Sequence, residues 1–169
     1  MEKITKAVID GYWTQYGART KAEDIHRHLE ELHKRQPLLM EYAMLAEKDG
    51  LQDSEREILY YLSGFCIDVI TSEFRQIPEI SAGECDSSRK ANIDMLGFLM
   101  TEYDADYFVG SLNNIIEANP QPDLLRFIVQ YLMKDKYCQT HIRAEKVWIV
   151  FTHIKIIIDC LAKVVNQKK

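Results

Sequence analysis

The side chains best spaced to act together lie in Glu23-x-x-His26-x-x-x-Glu30-x-x-His33. On a helix that turns about 100° per residue, positions i, i+3, i+7 and i+10 project from one side. Two Glu-x-x-His units are what di-iron and di-manganese bundles use: carboxylates bridge the ions and imidazoles complete each site. Those sites take the units from different helices. Here both sit on one helix, about 10 Å apart along its axis, and the chain holds no further Glu-x-x-His to face them. The spacing therefore predicts a solvated helix flank beside the apolar stripe Ile25, Leu29, Leu32, with Glu23, His26, Glu30 and His33 as the metal-binding alternative.

Cys138-x-x-His141 sets a thiol and an imidazole at zinc-compatible spacing, but a second ligand pair is missing nearby and would have to come from His153 or Cys160. Cys66, Cys85, Cys138 and Cys160 stand 19, 53 and 22 residues apart with no Cys-x-x-Cys pair. That pattern suits reduced thiols in a core rather than a disulfide framework. A Cys–His nucleophile from Cys66, Cys138 or Cys160 with His141 or His153 needs proximity that spacing does not supply. His153, among Ile149, Ile156 and Cys160, is expected to be a buried neutral imidazole with a hydrogen-bond partner. No Gly-x-Ser-x-Gly, P-loop, Gly-x-Gly-x-x-Gly, His-Glu-x-x-His or calcium-loop pattern occurs. The sequence points to a protein with no catalytic residue and no cofactor.

Aromatic residues offer apolar area with a polar handle. Tyr12, Trp13 and Tyr16 stand near the start, and Tyr103, Tyr107 and Phe108 at the corresponding place in the second half. They read either as core or as a ligand or partner site, formed by Tyr12, Trp13, Tyr16, Tyr103 and Tyr107 between the halves. Lys134, Lys136, Arg143 and Lys146 form a basic cluster, read as a solvated interhelical loop.

The scaffold that must position these groups is helical by composition. With 7 Gly and 4 Pro in 169 residues, the chain lacks the turn density of a sandwich or barrel, and 47% hydrophobic content excludes disorder. The net charge of −5 argues against nucleic acid. Residues 1–85 carry 10 basic and 16 acidic side chains against 11 and 10 in residues 86–169, so any basic surface belongs to the second half. Met1 to Lys6 has no secretory h-region, and the expectation is a cytoplasmic protein.

Punctuation residues divide the chain into about eight helices. The first covers 2–16 and stops at Gly17. Thr20-x-x-Glu23 is a capping box opening a second helix to Lys34, Gln36-Pro37 starts a third that Gly50 ends, and Ser54-x-x-Glu57 opens a fourth that lasts until Pro78. Residues 81–88, rich in Ser and Gly, read as a linker. Helices over 89–102 and 105–118 follow, Pro120 and Pro122 force a break before a seventh, and the eighth begins near Arg143. In that last helix Val147, Val150, Ile154, Ile157, Leu161 and Val164 form one stripe, widened by Trp148, Phe151 and Ile158. Lys155, Asp159 and Lys163 argue against a membrane span, leaving a central helix or a dimer face.

Lys6-Ala7-Val8-Ile9-Asp10 resembles Lys90-Ala91-Asn92-Ile93-Asp94, and Gln36-Pro37 resembles Gln121-Pro122 in the same order. The fold expected is therefore all-α: one domain over 1–169, with repeat halves 1–80 and 89–169 around the linker. The function expected is that of a non-catalytic protein-interaction module that can self-associate as a homodimer. The alternative is a small-ligand- or metal-binding helical bundle with an aromatic-lined pocket between the halves.

Overall fold

The computed structural model describes residues 2–18, 22–74, 77–100 and 105–167, and among them every regular element is helical. The order is α1 (Lys6–Gly17), α2 (Ala22–Arg35), α3 (Pro37–Met44), a 3-10 helix (Leu45–Asp49), α4 (Asp53–Glu73), α5 (Ala82–Met100), α6 (Ala105–Glu117), α7 (Pro122–Lys134), α8 (Lys136–His141), a second 3-10 helix (Ala144–Lys146) and α9 (Val147–Gln167). The helices form a single compact arrangement.

Apolar periodicity explains the centre. Of the predicted α9 stripe, Val150, Ile154, Ile157, Leu161 and Val164 are buried and Val147 is half-buried; of the widening residues, Phe151 and Ile158 are buried and Trp148 is half-buried. The helix packs against α3, α4, α5 and α7, so it is enclosed by neighbours. Even its polar seam is covered. Asp159 accepts hydrogen bonds from Asn92 Nδ2 on α5 and from Asn119 Nδ2 in the α6–α7 turn, each at 2.8 Å, and pairs with Lys155 at 2.6 Å. Each ligand answers part of the desolvation that a half-buried carboxylate suffers. Among the described residues no helix is long and apolar enough to cross a membrane.

Several boundaries follow the sequence signals. Pro37 opens α3, and Gly50 takes φ +73° at the end of the 3-10 helix, the left-handed geometry that favours glycine. Others depart from them. The first helix starts at Lys6: residues 2–4 form no regular element and are tied to Gln121, and Thr5 is extended. Residues 82–88 are the first turns of α5, not a linker. Ser81-x-x-Glu84 is a capping box there: Ser81 N donates to Glu84 Oε2 (2.8 Å) and Glu84 N to Ser81 Oγ (3.4 Å), which outweighs the turn propensity of Gly83 and Ser87. At α4 the reciprocal acid is Glu55, whose Oε2 accepts from Gln52 N (2.8 Å), while Ser54 Oγ donates to His141 O (3.1 Å). Thr20 lies outside the described residues.

Gln36 and Gln121, each just before the proline that opens a helix, make the same pair of bonds. Gln121 donates to Glu2 O (2.9 Å) and accepts from Ile4 N (2.8 Å); Gln36 donates to Pro78 O (2.9 Å) and accepts from Ile80 N (3.1 Å). Each half's glutamine thus holds the segment leading into the other half's first helix. The correspondence stops there. Lys6–Asp10 opens α1, whereas Lys90–Asp94 lies two turns inside α5, so the ordered matches do not establish a duplication.

Candidate functional site

Glu23, His26, Glu30 and His33 share α2, as the spacing required, and its outer flank is exposed. His26 Nε2 sits 3.1 Å from Glu30 Oε1, and His33 Nε2 3.9 Å from Glu41 Oε1 on α3. Among the described residues, no three His, Cys, Asp or Glu side chains converge to hold a metal ion. Cys138 is buried, and burial pushes its thiol up to about 12, so it is protonated at neutral pH. His141 stacks on Tyr137 with ring centres 4.0 Å apart.

The aromatic set predicted to line one pocket is divided. Trp13 is half-buried against the core, with ring centres 4.9 Å from Phe65, 5.2 Å from Phe127 and 4.7 Å from Tyr131. Tyr16 is buried against Tyr61 and Phe65, and its hydroxyl donates to Tyr61 O (3.2 Å). Residues three apart share a helix face, and on α1 that face meets α4 and α7. Tyr12 is half-buried, with burial raising its phenol pKa. Tyr107 is exposed on α6, and Tyr103 lies outside the described residues.

Of the predicted basic cluster, Lys134 and Lys136 are exposed, whereas Arg143 and Lys146 are engaged internally. Glu55 is fully buried and receives four hydrogen bonds: one from Gln52 N and three from Arg143, through its backbone N (3.0 Å), Nε (2.9 Å) and a terminal guanidinium nitrogen (2.7 Å). Arg143 also donates to Gly50 O, and Lys146 Nζ to Asp49 O. The guanidinium, aided by the two backbone donors, holds the Glu55 carboxyl down at about 2 against the opposing effect of burial. His153 is buried as expected, and its partner is distant in sequence: Nε2 lies 2.8 Å from Asp49 Oδ2. Burial keeps its pKa below the ordinary histidine value despite that carboxylate.

A cleft of about 880 Å3 opens between α2, α4, α7 and α8, and Glu23, His26 and Cys138 of the groups singled out from the sequence reach its lining. Its construction starts at Gly64, where α2 comes so close to α4 that an added Cβ would stand 2.7 Å from Leu29 Cδ2 and 2.8 Å from Tyr16 Oη. Leu32 is sealed beside that contact, while Leu29 and Ile25, one and two turns earlier, are only half-buried and line the cleft with Ile58. Tyr60 and Tyr61 from α4, Tyr131 from α7 and Tyr137 from α8 supply phenol walls. Asp135 positions the last by capping α8, its Oδ1 accepting from Tyr137 N (2.9 Å) and Cys138 N (3.2 Å). Burial raises the Tyr60 and Tyr131 pKa values, so both stay neutral. Glu23, His26 and Glu57 also line the cleft. A second depression of about 560 Å3 shares His26, Leu29, Glu57 and Tyr60 with it and adds Glu30, Met44, Asp53 and Arg56.

Sequence reasoning singled out Glu23, His26 and Cys138 on this lining but did not bring them together as a cleft, although Tyr60-Tyr61 beside the half-apolar α2 stripe was a usable signal. Compared with protein-family models, with curated proteins and with solved structures, the chain shows no match.

Proposed function

We propose that this chain is a non-catalytic interaction module that receives an amphipathic segment of a partner protein in the cleft between α2, α4, α7 and α8. The observation that carries the reading is the shape and chemistry of the groove. Ile25, Leu29 and Ile58 supply apolar contact, tyrosines frame it, and it continues past Tyr60 into the second depression. A continuous groove suits side chains repeating along a helix, as in other helix-in-groove complexes. Tyrosines favour such contacts because they bury large area with few rotatable bonds. Apart from the Arg56–Asp53 pair, the charged side chains along both depressions are Glu23, Glu30 and Glu57. That sign selects basic residues flanking the partner's apolar face.

The test uses two synthetic helical peptides with the same leucine face, one carrying lysines on its polar face and one glutamates. The lysine peptide should bind saturably at one per chain, at least tenfold more tightly than the glutamate peptide, and Leu29→Asp should abolish binding. Equal binding of both peptides, or binding indifferent to Leu29→Asp, overturns the reading. The small-ligand alternative gains if apolar phenolic fragments shift the NMR signals of Ile25 and Ile58 while neither peptide does. Self-association through the same groove would appear as a concentration-dependent mass in sedimentation that Leu29→Asp removes.

A further inference from the structure

Cys85 on α5 and Cys160 on α9 are separated by 75 positions in sequence, yet their Sγ atoms lie 3.8 Å apart. A disulfide needs about 2.05 Å between the sulfurs, so the pair must close by about 1.8 Å, within reach of side-chain rotation and a small adjustment between two packed helices. Neither residue lines the cleft. The two thiols are not equivalent. Cys160 is fully buried, while Cys85 keeps 5% of its surface exposed and is the sulfur that a small oxidant meets first.

We propose that Cys85 and Cys160 are an oxidisable dithiol, which hydrogen peroxide converts to an intrachain disulfide joining α5 to α9. The Cys160 thiol is placed to donate to the Cys85 sulfur, and this contact lowers the Cys85 pKa against the opposing effects of burial and of Asp86 and Glu84. The Cys85 proton leaves, and its thiolate attacks one peroxide oxygen. The O–O bond breaks, the departing hydroxide takes up that proton as water, and Cys85 becomes a sulfenic acid. The Cys160 sulfur then attacks the Cys85 sulfur, the S–O bond breaks, and a second water leaves with the Cys160 proton. Two thiols and one peroxide thus give one disulfide and two waters, the two electrons passing from sulfur to oxygen. Cys66 and Cys138 lie on α4 and α8 with thiols that burial holds protonated, and the Cys85 contact and burial hold Cys160 protonated too. Cys85 is therefore the thiol that reacts with the oxidant, and Cys160 follows only because it adjoins Cys85.

The experiment treats the folded, unsubstituted chain with hydrogen peroxide, removes the oxidant with catalase, alkylates free thiols in denaturant and digests with trypsin without reduction. The expected result is a monomer that has lost two of its four free thiols. The peptides 76–89 and 156–163 should be joined, and Cys66 and Cys138 should both be alkylated. In Cys160→Ser, the Cys85 sulfenic acid has no resolving sulfur and should be trapped by dimedone. Four alkylated cysteines, a Cys85 sulfinic acid without a cross-link, or a link from Cys85 to Cys66, Cys138 or another chain would overturn the proposal. Because mapping is done on the unsubstituted chain, a variant that fails to fold leaves the decision intact.

Discussion

Glu55 and Glu57 stand two residues apart in the first turns of α4, and their surroundings are opposite. Glu55 is fully buried, with both carboxylate oxygens occupied by Arg143 and two backbone amides. Glu57 is exposed on the wall of the tyrosine cleft. A helix turns about 200° in two residues, enough to carry one acid into a sealed joint and the other into an open groove. A carboxylate whose lone pairs are filled by its own chain locks distant segments together. One left on an apolar groove sets the charge of what can dock.

The difference can be tested by disturbing each side, and α9 sets the scale. Ile154→Ala or Leu161→Ala removes a fully buried side chain and should cost roughly 2–5 kcal/mol in urea unfolding; an unchanged midpoint would show that α9 is not the centre of the fold. On the sealed side, Arg143→Ala leaves the buried Glu55 with only backbone donors, and should destabilise the fold by clearly more than the loss of an exposed ion pair does. A loss as small as that of an exposed ion pair would erase the distinction drawn between the two acids.

Acid sharpens it further. The folded Glu55 carboxyl is held at about 2, below its ordinary value of 4.5, so its stabilising contribution is complete above about pH 4.5 and is lost as pH falls towards 2. An acid titration of Arg143→Ala should therefore lose less stability over that window than the parent. The smallest effect belongs to the open side: Glu57→Gln should change stability by no more than about 0.5 kcal/mol, yet weaken the lysine-rich peptide several-fold in the same binding assay.

Elements governed by local rules were legible in the sequence. Pro37 and Gly50 bracket α3 and its 3-10 extension, and the α9 stripe announced a buried helix. Where two local rules competed, the reading failed: Gly83 and Ser87 suggested a loop, but the Ser81–Glu84 cap decided the outcome. The Arg143–Glu55 joint was hidden because its partners are 88 positions apart, and spacing says nothing about such pairs. The cleft was hidden for another reason. Periodicity identifies the apolar face of α2 but not whether a neighbour covers it, so Ile25 and Leu29 looked the same as Leu32. The sequence left the Trp13–Tyr16 aromatics open as either core or site, and only their packing shows Tyr16 buried and Trp13 half-buried against Phe65 and Phe127.

The bond between Ile4 and Gln121 spans 117 positions, which sets the order of chain synthesis against the order of assembly. At 5–20 residues per second, Gln121 is added roughly 6–23 seconds after Ile4 has been made. Throughout that interval the segment ahead of α1 lacks the Gln121 clamp, and the apolar Ile4 waits for its seat. The segment around Ile4 is thus fixed only after Gln121 has been made, and a nascent chain halted before α7 carries that segment unclamped however well α2 to α4 have already packed.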